Sequence, residues 1–262
     1  MTTTLDRILA STRATLPALR ARRAELERRA ATAPDPPSLA KALVGERVAL
    51  IAEVKRRSPS KGTIRAELDP AAHAEAYARH GAAAISVLTD GPFFGGSLDD
   101  LARVASRVAV PVLRKDFILD EAQVLEARAA GAAAVLLIAR ALPAARLAEL
   151  LRFAGGCGLA ALVEAHDERE LETALESGAE IVGVNARNLD DFRVDVAAAW
   201  ELLRRIPASR IAVAESGMAT PADVAAAARA GADAVLVGTA LSAAPEPGEL
   251  VRALASVPRA GR

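Results

Sequence analysis

Short apolar runs recur along the chain, and longer segments with apolar residues at helical spacing separate them. Each run has the length of a buried strand, and polar side chains follow most of them. The alternation of strand and helix predicts parallel strands joined by crossover helices. The eight predicted strands are Val48–Ala52, Ala84–Leu88, Val110–Leu113, Ala133–Ile138, Leu159–Val163, Ile181–Val184, Ile211–Ala214 and Ala234–Val237.

Glycines mark the ends of several predicted helices, and a helix-Gly-Ala-strand junction recurs at Gly81, Gly131, Gly178 and Gly231. Eight strand-helix units predict an α/β fold, the (β/α)₈ or TIM barrel, with a doubly wound open sheet as the alternative. Polar residues follow strands around the whole cycle, which favours the barrel. The main predicted helices are Pro70–His80, Glu121–Ala130, Ala144–Ala154, Glu168–Glu176, Val194–Arg205 and Pro221–Ala230.

The first part of the chain has a different pattern. Apolar residues at helical spacing among many arginines predict an amphipathic helix from Leu5 to Ala31, and the proline-rich stretch Ala33–Ser38 predicts a hinge. Glu25 and Glu27 interrupt the positive charge, which argues against a nucleic-acid-binding arm. We therefore expect an N-terminal helical extension over residues 1–46 that packs on a catalytic barrel over residues 47–262.

Composition narrows the class of protein. Apolar residues make up 52% of the chain and aromatic residues 3%, as suits a barrel core of small aliphatic side chains. The formal net charge is zero, so nothing favours binding to nucleic acid or to an anionic membrane. No apolar run reaches about 18 residues, and the start lacks a secretion signal. We expect a cytoplasmic enzyme; its oligomeric state stays open, and a monomer is compatible with the sequence.

The first predicted strand ends in charged residues rather than apolar ones. Glu53 and Lys55 are two residues apart and therefore point to the same face of the strand. Burying an acid and a base is costly unless they are paired or used in catalysis, so this strand end is a candidate active site. Lys115, with Arg114 and Asp116 as possible ion partners, and Glu164 follow two further strands and would face the same barrel mouth.

The later strands end in groups suited to binding a substrate. Asn185 can orient a hydroxyl, and the planar guanidinium of Arg187 suits a carboxylate. Small loops after the last two predicted strands contain Gly217 and Gly238, where many barrels bind phosphate through backbone N–H groups. The sequence therefore predicts a phosphorylated small-molecule substrate.

An aromatic loop, the histidines and the cysteine give weaker indications of function. The glycine-rich loop with Phe93 and Phe94 either packs locally or closes over a flat apolar substrate. The three histidines, among them His166 in a loop, lack metal-ligand spacing, and we expect no metal and no cofactor. Cys157 is the sole cysteine and is interpreted as an ordinary thiol.

Seven motifs, in order and with matching spacing, closely resemble the indole-3-glycerol-phosphate synthase family from about Pro37 to Leu250. The resemblance implies a carboxy-lyase of tryptophan biosynthesis. Such an enzyme converts a carboxyphenylamino-deoxyribulose phosphate to indole-3-glycerol phosphate by ring closure, decarboxylation and dehydration. The motifs are IAEVKRRSPSKG, FFGGS, VLRKDFI, LVEAHD, VGVNARNL, AESGM and LVGTAL.

The resemblance also implies roles for single residues. Lys115 would protonate the substrate carbonyl with help from Lys55, and Glu164 would act as acid and base, although the division of proton transfers between Lys55 and Glu164 stays open. Glu53 would pair with the lysines. Asn185, Glu215 and Ser216 would complete the polar ring of catalytic groups. The phosphate would be bound by Ser58, Ser216, Gly217, Gly238 and Thr239, and the anthranilate end by Phe94, Arg187 and Leu189.

Some positions depart from the family pattern, and two other functions stay open. Arg57 replaces a small residue and is interpreted as a solvated loop arginine or an extra charge near the phosphate. The pair Gly91-Pro92 replaces a more polar one. A phosphoribosylanthranilate isomerase would use a Cys/Asp pair where Glu53 and Asn185 stand. A barrel that only binds a phosphorylated metabolite would need fewer buried ionisable groups.

Overall fold

The computed structural model describes residues 3–261. Eight parallel strands close into a barrel in which each strand pairs with its neighbours in sequence and the first pairs with the last. This confirms the predicted (β/α)₈ fold and excludes the open sheet. The strands are β1 (Ala49–Val54), β2 (Ala84–Leu88), β3 (Val112–Lys115), β4 (Ala134–Ile138), β5 (Ala160–Ala165), β6 (Ile181–Asn185), β7 (Ile211–Glu215) and β8 (Ala234–Val237).

Helices precede the barrel and follow its strands. A two-residue hairpin, Arg57–Ser58 with Gly62–Thr63, lies between β1 and the next helix, and a 3₁₀ turn, Ala139–Ala141, follows β4. The helices are α1 (Thr4–Ala21), α2 (Arg23–Thr32), α3 (Leu39–Ala42), α4 (Pro70–Arg79), α5 (Gly91–Phe94), α6 (Leu98–Ala105), α7 (Glu121–Ala129), α8 (Ala144–Gly156), α9 (Glu168–Glu176), α10 (Val196–Leu203), α11 (Pro221–Arg229), α12 (Thr239–Ala243) and α13 (Pro247–Ala255).

Local chemistry sets the helix ends. The side chains of Asp69, Asp120 and Asp167 accept N–H groups in the first turns of α4, α7 and α9, which satisfies donors that the helix itself leaves free. At the other end, Gly131 adopts a φ of 88°, and the three other junction glycines are also left-handed. This conformation favours glycine and turns the chain back toward the barrel.

Many element boundaries differ from prediction by one or two residues, and three elements show why. The strand predicted at Val110–Leu113 runs instead from Val112 to Lys115, because Lys115 continues the pairing with β2 opposite Leu88. Lys115 is therefore part of the strand. The helix predicted at Val194–Arg205 is shorter, since Asp195 caps it. The predicted N-terminal helix is interrupted at Arg22 and forms α1 and α2.

Alternate residues of each strand build two apolar layers. Outward residues such as Leu50 and Val182 pack among the surrounding helices, whereas inward residues such as Ile51 and Leu162 fill the lumen. At the carboxyl end of most strands, the next inward-facing position beyond the apolar lumen holds a polar side chain. The fold therefore converts the period-two pattern of each strand into one ring of polar groups.

The N-terminal helices pack on the barrel. Leu5, Ile8 and Leu9 of α1 are buried in the same apolar cluster as Phe117, which follows β3. Arg128 of α7 donates hydrogen bonds to the carbonyls of Ala33 and Pro34 and thereby fixes the stretch predicted as a hinge. The division at residues 46 and 47 remains a prediction. Within residues 3–261, no helix combines the length and apolarity needed to cross a membrane.

Candidate active site

A cavity of about 400 Å³ occupies the mouth of the barrel at the carboxyl ends of the strands. Every site residue proposed from the sequence lines this one cavity. The glutamates and lysines come from β1, β3, β5 and β7 or the residues next to them, and Arg187 follows β6, so the fold brings together groups distant in sequence. The residues are Glu53, Lys55, Ser58, Phe94, Lys115, Glu164, Asn185, Arg187, Leu189, Glu215, Ser216, Gly217, Gly238 and Thr239.

Lys115 is the cation at the centre of the carboxylates. Its Nζ lies 3.1 Å from Glu164 Oε2 and 3.6 Å from Glu215 Oε2. Burial lowers the pKa of Lys115, but the surrounding glutamates outweigh burial and hold the pKa above its ordinary value. Lys115 is therefore an ammonium group in the free enzyme, with a proton to give. The neighbours Arg114 and Asp116 pair with each other at 3.1 Å, because they point to the opposite face, so the expectation that they pair with Lys115 was wrong.

The two carboxyl groups beside Lys115 differ in pKa. Burial and the charge of Glu164 raise the pKa of Glu215 well above its ordinary value of 4.5. Burial also opposes ionisation of Glu164, but Lys115 and His166 outweigh it and lower the pKa of Glu164. Two adjacent buried carboxyl groups cannot both ionise cheaply. Of the two, Glu164 therefore gives up its proton more readily, and Glu215 holds its proton more tightly.

The second pair lies at the end of β1. Lys55 Nζ is 2.6 Å from Glu53 Oε1, and Glu53 is buried. Ser242 of α12 fixes this strand end: its hydroxyl donates to the Glu53 carbonyl and accepts the backbone N–H of Lys55. Sequence reasoning missed Ser242, which is 187 residues from Lys55 in the chain and carries no local signal.

Two glycines make room for the glutamates. A Cβ at Gly183 would come within 3.0 Å of Glu215 Oε1, and a Cβ at Gly238 within 3.0 Å of Glu53 Oε1. Both glycines continue the inward alternation of their strands. Gly238 was proposed for the phosphate alone, and Gly183 was not proposed at all; a glycine facing the mouth inside an apolar strand is the signal that could have found it.

His166 belongs to the site, although the sequence suggested only a loop residue. Its side chain is 6% exposed, with Nε2 3.3 Å from Glu164 Oε1 and Nδ1 2.9 Å from Glu170 Oε2. Burial lowers the pKa of His166, but the two carboxylates outweigh it and raise the pKa to about 9. The imidazole is therefore charged at neutral pH. The clue in the sequence was the spacing of His166 and Glu170 around the start of α9.

Small residues surround the part of the cavity proposed for phosphate. Ser216 and Gly217 follow β7 with left-handed φ angles of 66° and 79°. The strained Ser216 exposes backbone at the mouth, and such strain often marks a functional site. Gly238 and Thr239 begin α12, whose first N–H groups have no partner within the helix. Ser58 completes this side, and its hydroxyl accepts the N–H of Lys61 at 3.2 Å.

Two arginines that follow β1 bind the segment between β2 and the end of α6. Arg56 forms a two-point ion pair with Asp100 at 2.5 and 3.0 Å and also donates to the carbonyl of Gly95. Arg57 donates to the carbonyls of Pro92 and Phe93. The guanidinium of Arg57 is therefore bound to the loop after β2, and an added positive charge near the phosphate stays a prediction. The two departures from the family pattern, Arg57 and Gly91-Pro92, contact each other.

Apolar groups form the opposite wall. The rings of Phe94 and Phe117 lie 6.1 Å apart and are tilted by 36°, and Phe94 lines the cavity while Phe93 does not. The glycine-rich loop thus provides one ring for packing and one for the cavity. Arg187 donates to the carbonyl of Phe192 at 3.1 Å, and its backbone N–H is accepted by the side chain of Asn185. Within residues 3–261, no three His, Cys, Asp or Glu residues are grouped as metal ligands.

Solved structures resemble this chain in fold at low sequence identity. A 3-hexulose-6-phosphate synthase superimposes with a TM-score of 0.63 at 18% identity over 80% of this chain and 99% of its own. A thiamine phosphate pyrophosphorylase from Pyrococcus furiosus gives a TM-score of 0.60 at 17% identity over 80% and 94%. At such identities the likeness shows the fold alone.

Sequence relatives are closer. "Indole-3-glycerol phosphate synthase" of Streptomyces griseus subsp. griseus is 50% identical over 93% of this chain and 91% of its own. The protein of that name from Variovorax paradoxus is 46% identical over 95% and 98%. A model of the family "Indole-3-glycerol phosphate synthase" matches residues 5–254. The chain belongs to the indole-3-glycerol phosphate synthase family.

Proposed function

We propose that this protein converts 1-(2-carboxyphenylamino)-1-deoxy-D-ribulose 5-phosphate to indole-3-glycerol phosphate, carbon dioxide and water. One observation carries the proposal. A single cavity holds two lysines and three glutamates, joined by the ion pairs Lys55–Glu53 and Lys115–Glu164, between a wall of small loops of a size suited to phosphate and an apolar wall. The reaction needs groups that give and take protons beside a flat ring and a phosphate, and this cavity supplies each of them.

The first step is ring closure. The aromatic carbon that bears the carboxylate forms a bond to the carbonyl carbon of the sugar, and the carbonyl oxygen takes up a proton. Lys115 is the proton donor in this proposal, because it is a buried ammonium group beside the carboxylates. Lys55 assists from its pair with Glu53, on the β1 side of the mouth.

The next steps restore aromaticity. The bond to the carboxylate breaks, and its electron pair neutralises the cationic ring as carbon dioxide leaves. The hydroxyl then takes a proton and departs as water, and a C–H proton is removed. Glu164, whose pKa is lowered, is the group that accepts the C–H proton in this proposal. Glu215 beside it, whose pKa is raised, donates a proton to the departing hydroxyl. The pair of carboxyl groups thus supplies both roles.

The remaining contacts bind and orient the substrate in this proposal. Backbone N–H groups of the two glycine-containing loops bind the phosphate together with the Ser58 hydroxyl. Phe94 and Leu189 contact the anthranilate ring, Arg187 its carboxylate, and Asn185 a hydroxyl of the sugar. The buried charges favour this reaction over ligand capture alone. We further propose that the enzyme acts in the cytoplasm without nucleic acid or metal; its oligomeric state stays open.

The test is turnover by the purified protein without added metal or nucleotide. The indole product fluoresces, so its appearance can be followed continuously, and released carbon dioxide can be measured in parallel. Equal amounts of the two products support the proposal. Substrate binding without turnover would instead indicate a binding barrel. Turnover of phosphoribosylanthranilate, with none of the proposed substrate, would indicate the isomerase.

A further inference from the structure

His166 is held between two carboxylates. Glu170 Oε2 lies 2.8 Å from the backbone N of His166 and 2.9 Å from its ring Nδ1, which fixes the ring orientation. Nε2 then points toward Glu164 Oε1 at 3.3 Å. Both of these atoms are buried, and neither has a hydrogen bond of good geometry within residues 3–261. The ring is therefore aimed at Glu164 by a clamp on its other nitrogen.

This contact needs a proton. Nδ1 faces a carboxylate and therefore carries hydrogen, so a neutral ring would turn the lone pair of Nε2 toward Glu164. The contact is favourable when one proton lies between Nε2 and Oε1, on either atom. Burial, which lowers the pKa of His166, is outweighed by Glu164 and Glu170, which raise it to about 9. His166 thus holds a proton next to the carboxylate that the reaction uses.

The other side of His166 borders a second cavity, of about 320 Å³, outside the active site. Exposed side chains between β6 and α10 line it, so solvent reaches this cavity. The imidazole is therefore a side chain between a buried catalytic carboxylate and a hydrated space. The charged groups around it are Glu164 on β5, Glu170 on α9, Arg140 of the 3₁₀ turn, 3.8 Å from Glu170, and Asp191, Arg193 and Asp195 of the cavity wall.

The proposed reaction consumes one proton in each turnover. The carbonyl oxygen and the departing hydroxyl each take up a proton, and one C–H proton is released. Two protons are therefore taken up and one is released, so each turnover consumes one proton. This agrees with the charges, since the carboxylate anion of the substrate leaves as neutral carbon dioxide. A buried set of groups must regain this proton from solvent before the next turnover. While substrate or product fills the barrel mouth, protons can reach the carboxylates only by a path that does not pass through the mouth.

We propose that His166 relays this proton from the side cavity to Glu164. The inference rests on the proposed function. In the relay, His166 gives its Nε2 proton to Glu164, which passes it to whichever of the two donors, Lys115 or Glu215, the C–H proton has not reloaded. The neutral ring, whose Nε2 lone pair then faces the Glu164 carboxylate, turns Nε2 into the side cavity and takes up a proton from water there. Glu170 then draws the charged ring back into place through Nδ1. His166 is thus a positioning and proton-supplying residue that acts through Glu164, without touching substrate.

The first test is His166→Gln, with His73→Gln on α4 as the matched loss of a histidine outside the site. We expect kcat to fall roughly tenfold to a hundredfold and KM to stay within about twofold, since substrate contacts are unchanged. Imidazole added to His166→Ala should restore part of the rate, because the side cavity admits it. His73→Gln should match the wild type. Normal kcat in His166→Gln would overturn the relay, as would a deficit in a folded His166→Ala that imidazole leaves unchanged.

Glu170→Gln tests the same step with the ring in place. Without the Glu170 charge His166 binds its proton less tightly, so the loss of kcat at alkaline pH should begin at lower pH than in the wild type. An unchanged profile would overturn the relay. A wild-type protein without turnover contradicts the proposed function and the relay together, whereas an active wild type with a fully active His166→Gln contradicts the relay alone.

Discussion

The chemistry of the mouth depends on which residue carries each proton. The pKa of Lys115 is raised, that of Glu164 is lowered and that of Glu215 is raised, because the three buried groups lie beside one another. The sequence predicts that Glu53 and Lys55 share a face, since strand period is local. It does not predict that Gly183 makes room for Glu215, because this depends on how neighbouring strands align.

Glu215→Gln should make the protein more stable and less active. The pKa of Glu215 lies above its ordinary value of 4.5, so the folded state binds this proton more tightly than the unfolded state does. Stability from this group is therefore present below pH 4.5 and is lost as pH rises through the raised pKa. Glutamine is neutral at every pH and removes that loss.

We expect the melting temperature of Glu215→Gln to rise by about 2–4 °C at pH 8, the shift that about 1 kcal/mol produces in a chain of this size. At pH 5 the gain should be smaller. Thermal unfolding followed by circular dichroism measures both. Glu172→Gln on the exposed face of α9 is the control. A gain that grows toward acid pH would contradict the assigned protonation of Glu215.

Gly183→Ala should impair catalysis with little effect on folding. The added Cβ would meet Glu215 Oε1, and the carboxyl group must move away from Lys115. We expect kcat to fall by roughly tenfold or more, as for the displacement of an acid-base group. Gly155→Ala in α8, where no atom lies near the new Cβ, is the control for the substitution. Equal kcat values for the two variants would refute the steric argument.

At the scale of elements, strands position the reacting groups and loops link over the substrate. The eight strands and their alternation with helices follow from hydrophobic periodicity and were predicted correctly, whereas several short helices were not predicted and the ends of elements were less accurate. The pairing of Lys115 with β2 extends β3 beyond its apolar run, and Asp195 shortens α10. Contacts between a loop and a distant helix, such as that of Arg56 with Asp100 of α6, join residues 44 apart in the chain and leave no local pattern in the sequence.

Asp100→Asn should loosen the loop after β1 and weaken substrate binding. It removes the charge that pairs with Arg56, and the loop carries Ser58, a proposed phosphate ligand. We expect KM to rise roughly tenfold and kcat to change less than about twofold, because the proton-transfer groups stay in place. Steady-state kinetics decide this. Asp99→Asn, one position earlier in α6 and exposed, should leave KM unchanged.

At the scale of the whole molecule, eight strand-helix units close into a barrel, and the N-terminal helices pack on that barrel. The sequence predicted both parts, since repetition of one unit and an added amphipathic helix are visible in the pattern of apolar residues. How the extension is held was not predictable: Arg128 binds carbonyls about 95 residues away, namely those of Ala33 and Pro34. The buried Arg128 therefore joins the extension to α7.

Arg128→Gln should lower the stability of the whole chain. Hydrogen bonds to a charged group contribute about 1.5–3 kcal/mol, so we expect the melting temperature to fall by about 5 °C or more. Protease cleavage should increase within residues 33–38. Arg152→Gln on the exposed side of α8 is the control. A melting temperature equal to that of the control would contradict the role of Arg128 in holding the extension.

The most direct test of the account is kcat of Lys115→Met on the carboxyphenylamino-deoxyribulose phosphate, compared with the wild type and with Lys41→Met on α3. We predict a fall of at least about a hundredfold, the usual effect of losing acid-base catalysis, with the barrel folded and the substrate still bound. Lys41→Met should retain full activity. Near-normal turnover by Lys115→Met would contradict the central claim that this buried ammonium group donates the proton for ring closure.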